Sequence, residues 1–118
     1  MLSSTENYMA FQVAVENYNG KALLRAQGEI DLATVDLLDM AVANALQDGL
    51  SHVVIDMTGV TFMDSTGIRS LLTNSERVSE AGGKMSIVLS GGPVARTLSV
   101  TGVDSLLSIY DSVPEATA

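Results

Sequence analysis

The sequence predicts an α/β domain in which helices flank a mixed β-sheet, and two observations indicate this class. Apolar runs typical of strands alternate along the chain with segments whose apolar residues recur at helical spacing. Residues 53–55 (Val-Val-Ile) are apolar at every position and β-branched, which is typical of a strand buried on both faces and paired in parallel. We therefore expect this strand at the centre of the sheet.

The first predicted elements are an antiparallel hairpin and a helix. Residues 11–15 and 22–27 have strand patterns, and Asn19-Gly20 between them can supply the positive φ angles of a tight turn. Thr34 is the predicted N-cap of the helix. The helix is expected to cover one face of the sheet with four apolar residues at helical spacing: Val35, Leu38, Val42 and Leu46.

A second helix is predicted to begin at Ser65, directly after the apolar strand, and to end at Gly82-Gly83. Its spacing places one set of residues inward: Ile68, Leu71, Leu72, Ser75 and Val78. The same spacing leaves another set more outward: Arg69, Ser70, Thr73, Asn74 and Arg77.

The rest of the chain is predicted to complete the sheet. Residues 85–89 form another strand, a short helix opens at Pro93, and residues 106–110 form a last short strand or helix. One domain over 1–118 is expected, with loose ends at about 1–7 and 112–118.

Composition limits the classes of function. The 118 residues are 47% hydrophobic, which is enough for the core of one domain. Fourteen acidic residues against six basic ones give a net charge of −8, which disfavours direct binding of nucleic acid. The chain has no cysteine, and none of its apolar runs approaches the length of about 20 residues that spans a bilayer. We therefore expect a cytoplasmic protein without membrane insertion, disulfides or thiol chemistry.

Ser65 is the candidate functional residue. The N–H groups that open a helix lack partners within it, and the helix dipole there stabilises an anion, so a hydroxyl in this place can carry a phosphate. The alternative is that Ser65 only caps the helix, a role worth about 1 kcal/mol. Thr66 is a second possible acceptor, but its β-branched side chain is expected to bond locally. Gly67 indicates either a close approach of a strand or partner, or merely a tolerated small residue.

Three segments in this order and spacing resemble the STAS domain family and, within it, the anti-sigma factor antagonists. They are residues 28–31 (GEID) with Thr34, residues 62–67 (FMDSTG), and residues 94–110 with the TGVD sequence at 101–104. The resemblance covers nearly the whole chain and implies the STAS fold, with no enzymatic activity and no cofactor. It also implies that Ser65 is phosphorylated by a serine kinase, which itself acts as the anti-sigma factor.

The resemblance implies a switch between partners. Unphosphorylated, such a protein binds the kinase and displaces a sigma factor; the phosphorylated form lets go, and a serine phosphatase restores it. A phosphate adds about −1.5 to −2 charge, and a loss of about 2.8 kcal/mol weakens binding a hundredfold. The residues expected at the partner surface are Asp31, Asp64, Ser65, Thr66, Gly67 and Arg69.

Several residues in or near the three segments, and the single histidine, also have simpler interpretations. Asp31 either orients the phosphate donor or metal of the kinase, or is a turn carboxylate that accepts nearby N–H groups. Met57 and Met63 flank the loop, where filling the core is the favoured role over an adaptable interface. Arg69 on the outer helix face is by default solvated. His52, the only histidine, starts a strand and is expected in solvent.

The sequence offers two other functions. Asp56-Met57-Thr58-Gly59 after an apolar strand faintly resembles the phosphate-accepting motif of aspartyl-phosphate enzymes, but the metal-binding acids and well-placed lysine that this chemistry needs are missing. If Asp56 ends the strand without such a role, we expect it to hydrogen-bond the loop around Thr58.

The second alternative function is a non-switching STAS scaffold or accessory subunit of a transporter or signalling complex, which stays open.

Overall fold

In the computed structural model of the protein, which describes residues 11–118, five strands form one mixed sheet in the order β1-β2-β3-β4-β5. The strands are β1 (Phe11–Tyr18), β2 (Lys21–Ile30), β3 (His52–Met63), β4 (Lys84–Val88) and β5 (Ile109–Tyr110). β1 is antiparallel to β2, and the other neighbouring strands are parallel. The predicted α/β class with a mixed sheet is confirmed.

Across residues 11–118, four helices and a short 3-10 helix connect and cover the strands. They are α1 (Val35–Gln47), α2 (Ser65–Glu80), α3 (Gly92–Val100), the 3-10 helix (Val103–Leu106) and α4 (Val113–Thr117). The main core contains residues of α1, α2 and α3 packed with the sheet. A smaller cluster of Leu23, Val54, Val88 and Ala116 joins the sheet to α4. Within residues 11–118, no helix is both long enough and apolar enough to cross a membrane.

The strand predictions hold where local pattern dominates. Asn19 and Gly20 have φ angles of 53° and 85°, so they supply the positive φ values of the hairpin turn. β3 lies between β2 and β4 at the centre of the sheet, and its residues 53–55 are fully buried. Both predictions are confirmed.

Two boundaries differ from the predictions. β3 does not end at Asp56 but continues to Met63, with two register shifts against β2. The segment 112–118, predicted to be loose, contains α4, whose Ala116 is buried against the sheet. Ser112 caps α4 by accepting from the Glu115 N–H, so a short local motif holds this end. The prediction for residues 1–7 lies outside the described part of the chain.

Thr34 occupies the N-cap position of α1 but makes no side-chain cap bond. Its hydroxyl instead donates to the Glu29 carbonyl oxygen at 2.8 Å and accepts from the Asp31 N–H at 3.0 Å. The predicted cap is therefore wrong in mechanism, because the side chain stabilises the turn before the helix. The inward face of α1 is as predicted, with Val35, Leu38 and Val42 buried.

Candidate functional site

The site lies at the edge of the sheet where β2 and β3 end together. Ile30 pairs with Met63 in the parallel register, and the Asp64 N–H donates to the Ile30 carbonyl oxygen at 3.3 Å. The turn after β2 begins at Asp31, and the turn after β3 runs through Asp64 into Ser65. Because the carboxyl ends of parallel strands share one edge, these two turns are neighbours.

Asp64, and not Ser65, caps α2. Its Oδ1 accepts from the Thr66 N–H at 2.9 Å and from the Gly67 N–H at 3.4 Å. Ser65 is the first residue of the helix and its side chain is exposed. The interpretation of Ser65 as a capping residue is therefore wrong, and its hydroxyl stands in solvent at the helix start.

Gly67 lies where α2 comes close to the ends of β2 and β3. A Cβ atom placed on it would overlap the Met63 side chain and lie 2.9 Å from Ile30 Cγ2, closer than real Cβ contacts. The close approach is therefore to the chain's own strands, and Gly67 is buried rather than presented to a partner. Met57 and Met63 are also buried, so the core role favoured for them is confirmed.

Asp31 forms the turn that stands beside Asp64. Its Oδ1 accepts from the Ala33 N–H at 3.0 Å and from the Thr34 hydroxyl at 3.2 Å, while its backbone oxygen accepts from the Val35 N–H. This is the turn-carboxylate role. Within residues 11–118, no group of three His, Cys, Asp or Glu side chains is placed to hold a metal ion.

A buried polar cluster joins α1 to α2 below the site. Asp39 Oδ1 accepts from the Ser70 hydroxyl at 2.5 Å and from Asn74 Nδ2 at 2.8 Å, and Asn74 Nδ2 also contacts Ser70 Oγ at 3.1 Å. Ser70 and Asn74 were predicted to face outward, which is wrong, since both are buried. The sequence signal was a Ser and an Asn four residues apart, which form one stripe of a helix.

Arg69 lines a shallow cleft of about 170 Å³ between α1 and α2. Its outward position is confirmed, as is that of Arg77, which lines the same cleft. Thr66 also lines this cleft, so its side chain points towards α1. Among the described residues, neither arginine forms a salt bridge.

Two exposed apolar residues at this edge were missed. Leu32, in the turn after β2, is 80% exposed, and Phe62, near the end of β3, is 49% exposed. Phe62 pairs in register with the exposed Glu29, and Asp31 precedes Leu32. An apolar residue inside an otherwise polar turn was the available signal for Leu32. Exposed apolar side chains with a polar rim are typical of protein-binding surfaces.

Asp56 lies in the middle of β3, away from this edge. Its Oδ1 accepts from the Thr58 N–H at 3.0 Å and from the Thr58 hydroxyl at 2.8 Å, which confirms the predicted local role. Its Oδ2 is 3.4 Å from Arg25, whose pKa is raised chiefly by a hydrogen bond to Glu16. A buried, fully engaged carboxylate in mid-strand does not suit an aspartyl-phosphate nucleophile. His52 is exposed at the start of β3, as predicted.

The fold is that of a small α/β domain with exposed apolar residues where β2 and β3 end. The chain belongs to the STAS domain family, which its sequence matches over residues 12–116.

Three similar proteins illustrate the match. The chain is 30% identical over 105 residues to an anti-sigma F factor antagonist of Paenibacillus polymyxa, covering 88% of this chain and 90% of the relative. It is 31% identical over 104 residues to the anti-sigma-F factor antagonist RsfB of Mycobacterium tuberculosis, covering 88% and 84%. The crystal structure of an anti-sigma factor antagonist from Mycobacterium paratuberculosis superposes with a TM-score of 0.83 at 26% identity, covering 93% of each chain.

Proposed function

We propose that this chain is an anti-sigma factor antagonist whose binding is switched off by phosphorylation of Ser65. The unphosphorylated form binds an anti-sigma factor that is also a serine kinase, and so frees a sigma factor in the cytoplasm. A serine phosphatase removes the phosphate and returns the chain to its binding form. The names of the relatives support the antagonist role, and the exposed Ser65 hydroxyl at the start of α2 supports the switch.

The observation that carries the proposal is that Asp64 caps α2 while Ser65 is exposed beside it. Asp64 supplies the cap bonds to the Thr66 and Gly67 N–H groups, so the helix start does not depend on the Ser65 hydroxyl. A kinase can therefore modify this hydroxyl without breaking a hydrogen bond that holds α2. The start of α2 also favours an added anion, because the dipole of the helix carries a partial positive charge at this end.

The surface around Ser65 is suited to a protein partner. Leu32 and Phe62 present apolar area, and carboxylates are close to them in the fold: Asp31 precedes Leu32, and Glu29 pairs in register with Phe62. We expect the complementary surface of the partner to be apolar with a basic rim, since complementary charge steers association and selects the partner. Exposed apolar residues in such a place contribute affinity when they are buried in a complex.

Phosphorylation opposes binding through charge rather than through a change of fold. A phosphate of about −1.5 to −2 charge stands next to Asp64 and near the Asp31 turn. In a complex this group must lose water against a surface that already carries carboxylates, and burying an imperfectly paired charge costs several kcal/mol. A loss of only about 2.8 kcal/mol weakens binding a hundredfold.

The labelling test uses the purified chain, ATP and the anti-sigma serine kinases of the same organism, with the modified residue mapped by mass spectrometry. We expect one phosphate, on Ser65, and no label in Ser65→Ala. Ser79→Ala is the matched control, because Ser79 is exposed on the same helix near its other end. Labelling that persists in Ser65→Ala would disprove the proposed site.

The binding test compares the unmodified chain with a chain that carries phosphoserine at position 65. We expect about hundredfold weaker binding of the modified chain to the anti-sigma factor, measured by calorimetry. Equal affinities would favour the non-switching STAS scaffold instead. Capture of a transporter subunit rather than a kinase would favour the accessory role.

A further inference from the structure

We propose that Arg69 is the internal counter-ion of phosphorylated Ser65, so that phosphorylation withdraws this guanidinium from the partner surface while it adds negative charge. This inference rests on the proposed modification of Ser65. It assigns Arg69 two successive states: exposed on the partner-facing surface before phosphorylation, and bound to the chain's own phosphate afterwards.

The helical spacing of α2 puts Ser65 and Arg69 on the same face of the helix. Ser65 and Arg69 are four residues apart on one helix, about 6 Å along its axis, and such pairs have Cβ atoms about 5–6 Å apart. Helical side chains lean towards the N-terminus, so the Arg69 side chain extends towards the turn that holds Ser65. A guanidinium can give two parallel N–H bonds to phosphate oxygens, which lysine cannot.

Arg69 is available for this role. It is exposed, and among residues 11–118 it forms no salt bridge. The carboxylate that lines the cleft, Asp39, already accepts two hydrogen bonds at its Oδ1 from Ser70 and Asn74. Two other basic residues are engaged elsewhere: Arg25 pairs with Glu16 and Asp56, and Lys84 contacts the Tyr110 hydroxyl.

The charge around the site favours a counter-ion for the phosphate. The chain carries a net charge of −8, and the carboxylates of Asp64 and Asp31 lie on the same edge as Ser65. A phosphate dianion at position 65 meets repulsion from both carboxylates, while Arg69 is the cation one turn away on the same helix. The pair thus lets the modified chain carry the phosphate without strain on its fold.

The test uses chains in which phosphoserine is inserted at position 65 during translation, so no kinase is needed. The phosphate is titrated by phosphorus NMR in the parent chain, in Arg69→Gln and in Arg77→Gln. We expect the second phosphate pKa to be about 0.3 units higher in Arg69→Gln than in the parent, because an opposite charge one turn away favours the dianion. Arg77→Gln is the matched control: Arg77 lines the same cleft two turns further from the phosphate, so its loss should leave the titration unchanged.

A second readout distinguishes a direct bond from a general effect of charge. The Arg69 Nε–H proton signal should move downfield in the phosphoserine chain and stay in place in the unmodified one. In about 1 M salt, where charges more than about 3 Å apart are screened, the difference between Arg69→Gln and the parent should persist if the guanidinium bonds the phosphate directly, and a difference that vanishes would contradict the direct bond.

The proposal is overturned if Arg69→Gln titrates like the parent, or if Arg77→Gln shifts the phosphate pKa by as much. Backbone NMR spectra of each variant verify that the fold is intact. Because phosphoserine is inserted without a kinase, failure of kinase labelling would disprove the proposed function without touching this result. Conversely, an unchanged titration would remove the Arg69 role and leave Ser65 as a phosphorylation site.

Discussion

The backbone N–H of Asp64 donates to the carbonyl oxygen of Ile30 across 3.3 Å, and this bond joins the end of β2 to the start of α2. Asp64 then caps α2 through its side chain, so one residue ties two strands and a helix together. The next residue, Ser65, is left exposed on this rigid support. A phosphate added to this hydroxyl would change the charge of the surface without breaking the hydrogen bonds that hold the start of α2.

Asp64→Ala should destabilise the chain by about 1 kcal/mol, because the Thr66 and Gly67 N–H groups lose their acceptor. Urea unfolding measures the change. Ser65→Ala is the matched control and should stay within about 0.5 kcal/mol of the parent, since Ser65 makes no contribution to the cap. A larger loss in Ser65→Ala than in Asp64→Ala would contradict the assignment of the cap.

Gly67→Ala should be destabilising, by about 1–3 kcal/mol, because the new methyl group overlaps Met63 and Ile30. The sign of the change in unfolding free energy is informative, because replacing a helical glycine by alanine at an open position stabilises a protein by up to about 1 kcal/mol. Thermal unfolding monitored by circular dichroism measures the change. A more stable variant would show that α2 can shift away from the strands at no cost.

Asp39→Ala should cost about 1–3 kcal/mol, because the Ser70 hydroxyl and the Asn74 amide then lack their shared acceptor in a buried place. Asp36→Ala is the control on the same helix, where an exposed carboxylate in the first turn contributes within about 0.5 kcal/mol. Urea unfolding of both variants gives the comparison. A double-mutant cycle of Asp39→Ala with Ser70→Ala should show coupling, and additive losses would argue against a shared network.

Leu32→Ala should weaken binding to the anti-sigma factor by about tenfold while leaving unfolding unchanged, because its side chain is 80% exposed and contributes little to the core. Leu106→Ala is the matched control, since Leu106 is also an exposed leucine, at 67%, but lies in the 3-10 helix after α3. Calorimetric titration compares the two. Equal effects of both variants would place the partner elsewhere.

The candidate site could be predicted in part. The hydroxyl at position 65 was identifiable because a polar turn between an apolar strand and a helix is a local feature of the sequence. The identity of the capping residue was not, because Asp64 and Ser65 are both good caps and a shift of one residue in the helix start decides between them. Leu32 and Phe62 were missed because exposure of an apolar side chain depends on which elements cover it.

Local pattern settles the order of strands and helices, the tight turn at Asn19-Gly20 and the central place of residues 53–55, because each depends on neighbours in the chain. Packing between distant segments decides the remainder. Ser70 and Asn74 point inward because α1 brings Asp39 opposite them. The Ser112 cap begins the helix at residues 113–117, but Ala116 of this helix is buried because the sheet presents an apolar face to it. A buried polar partner or an uncovered apolar face exists only once the chain has folded, so no window of sequence contains it.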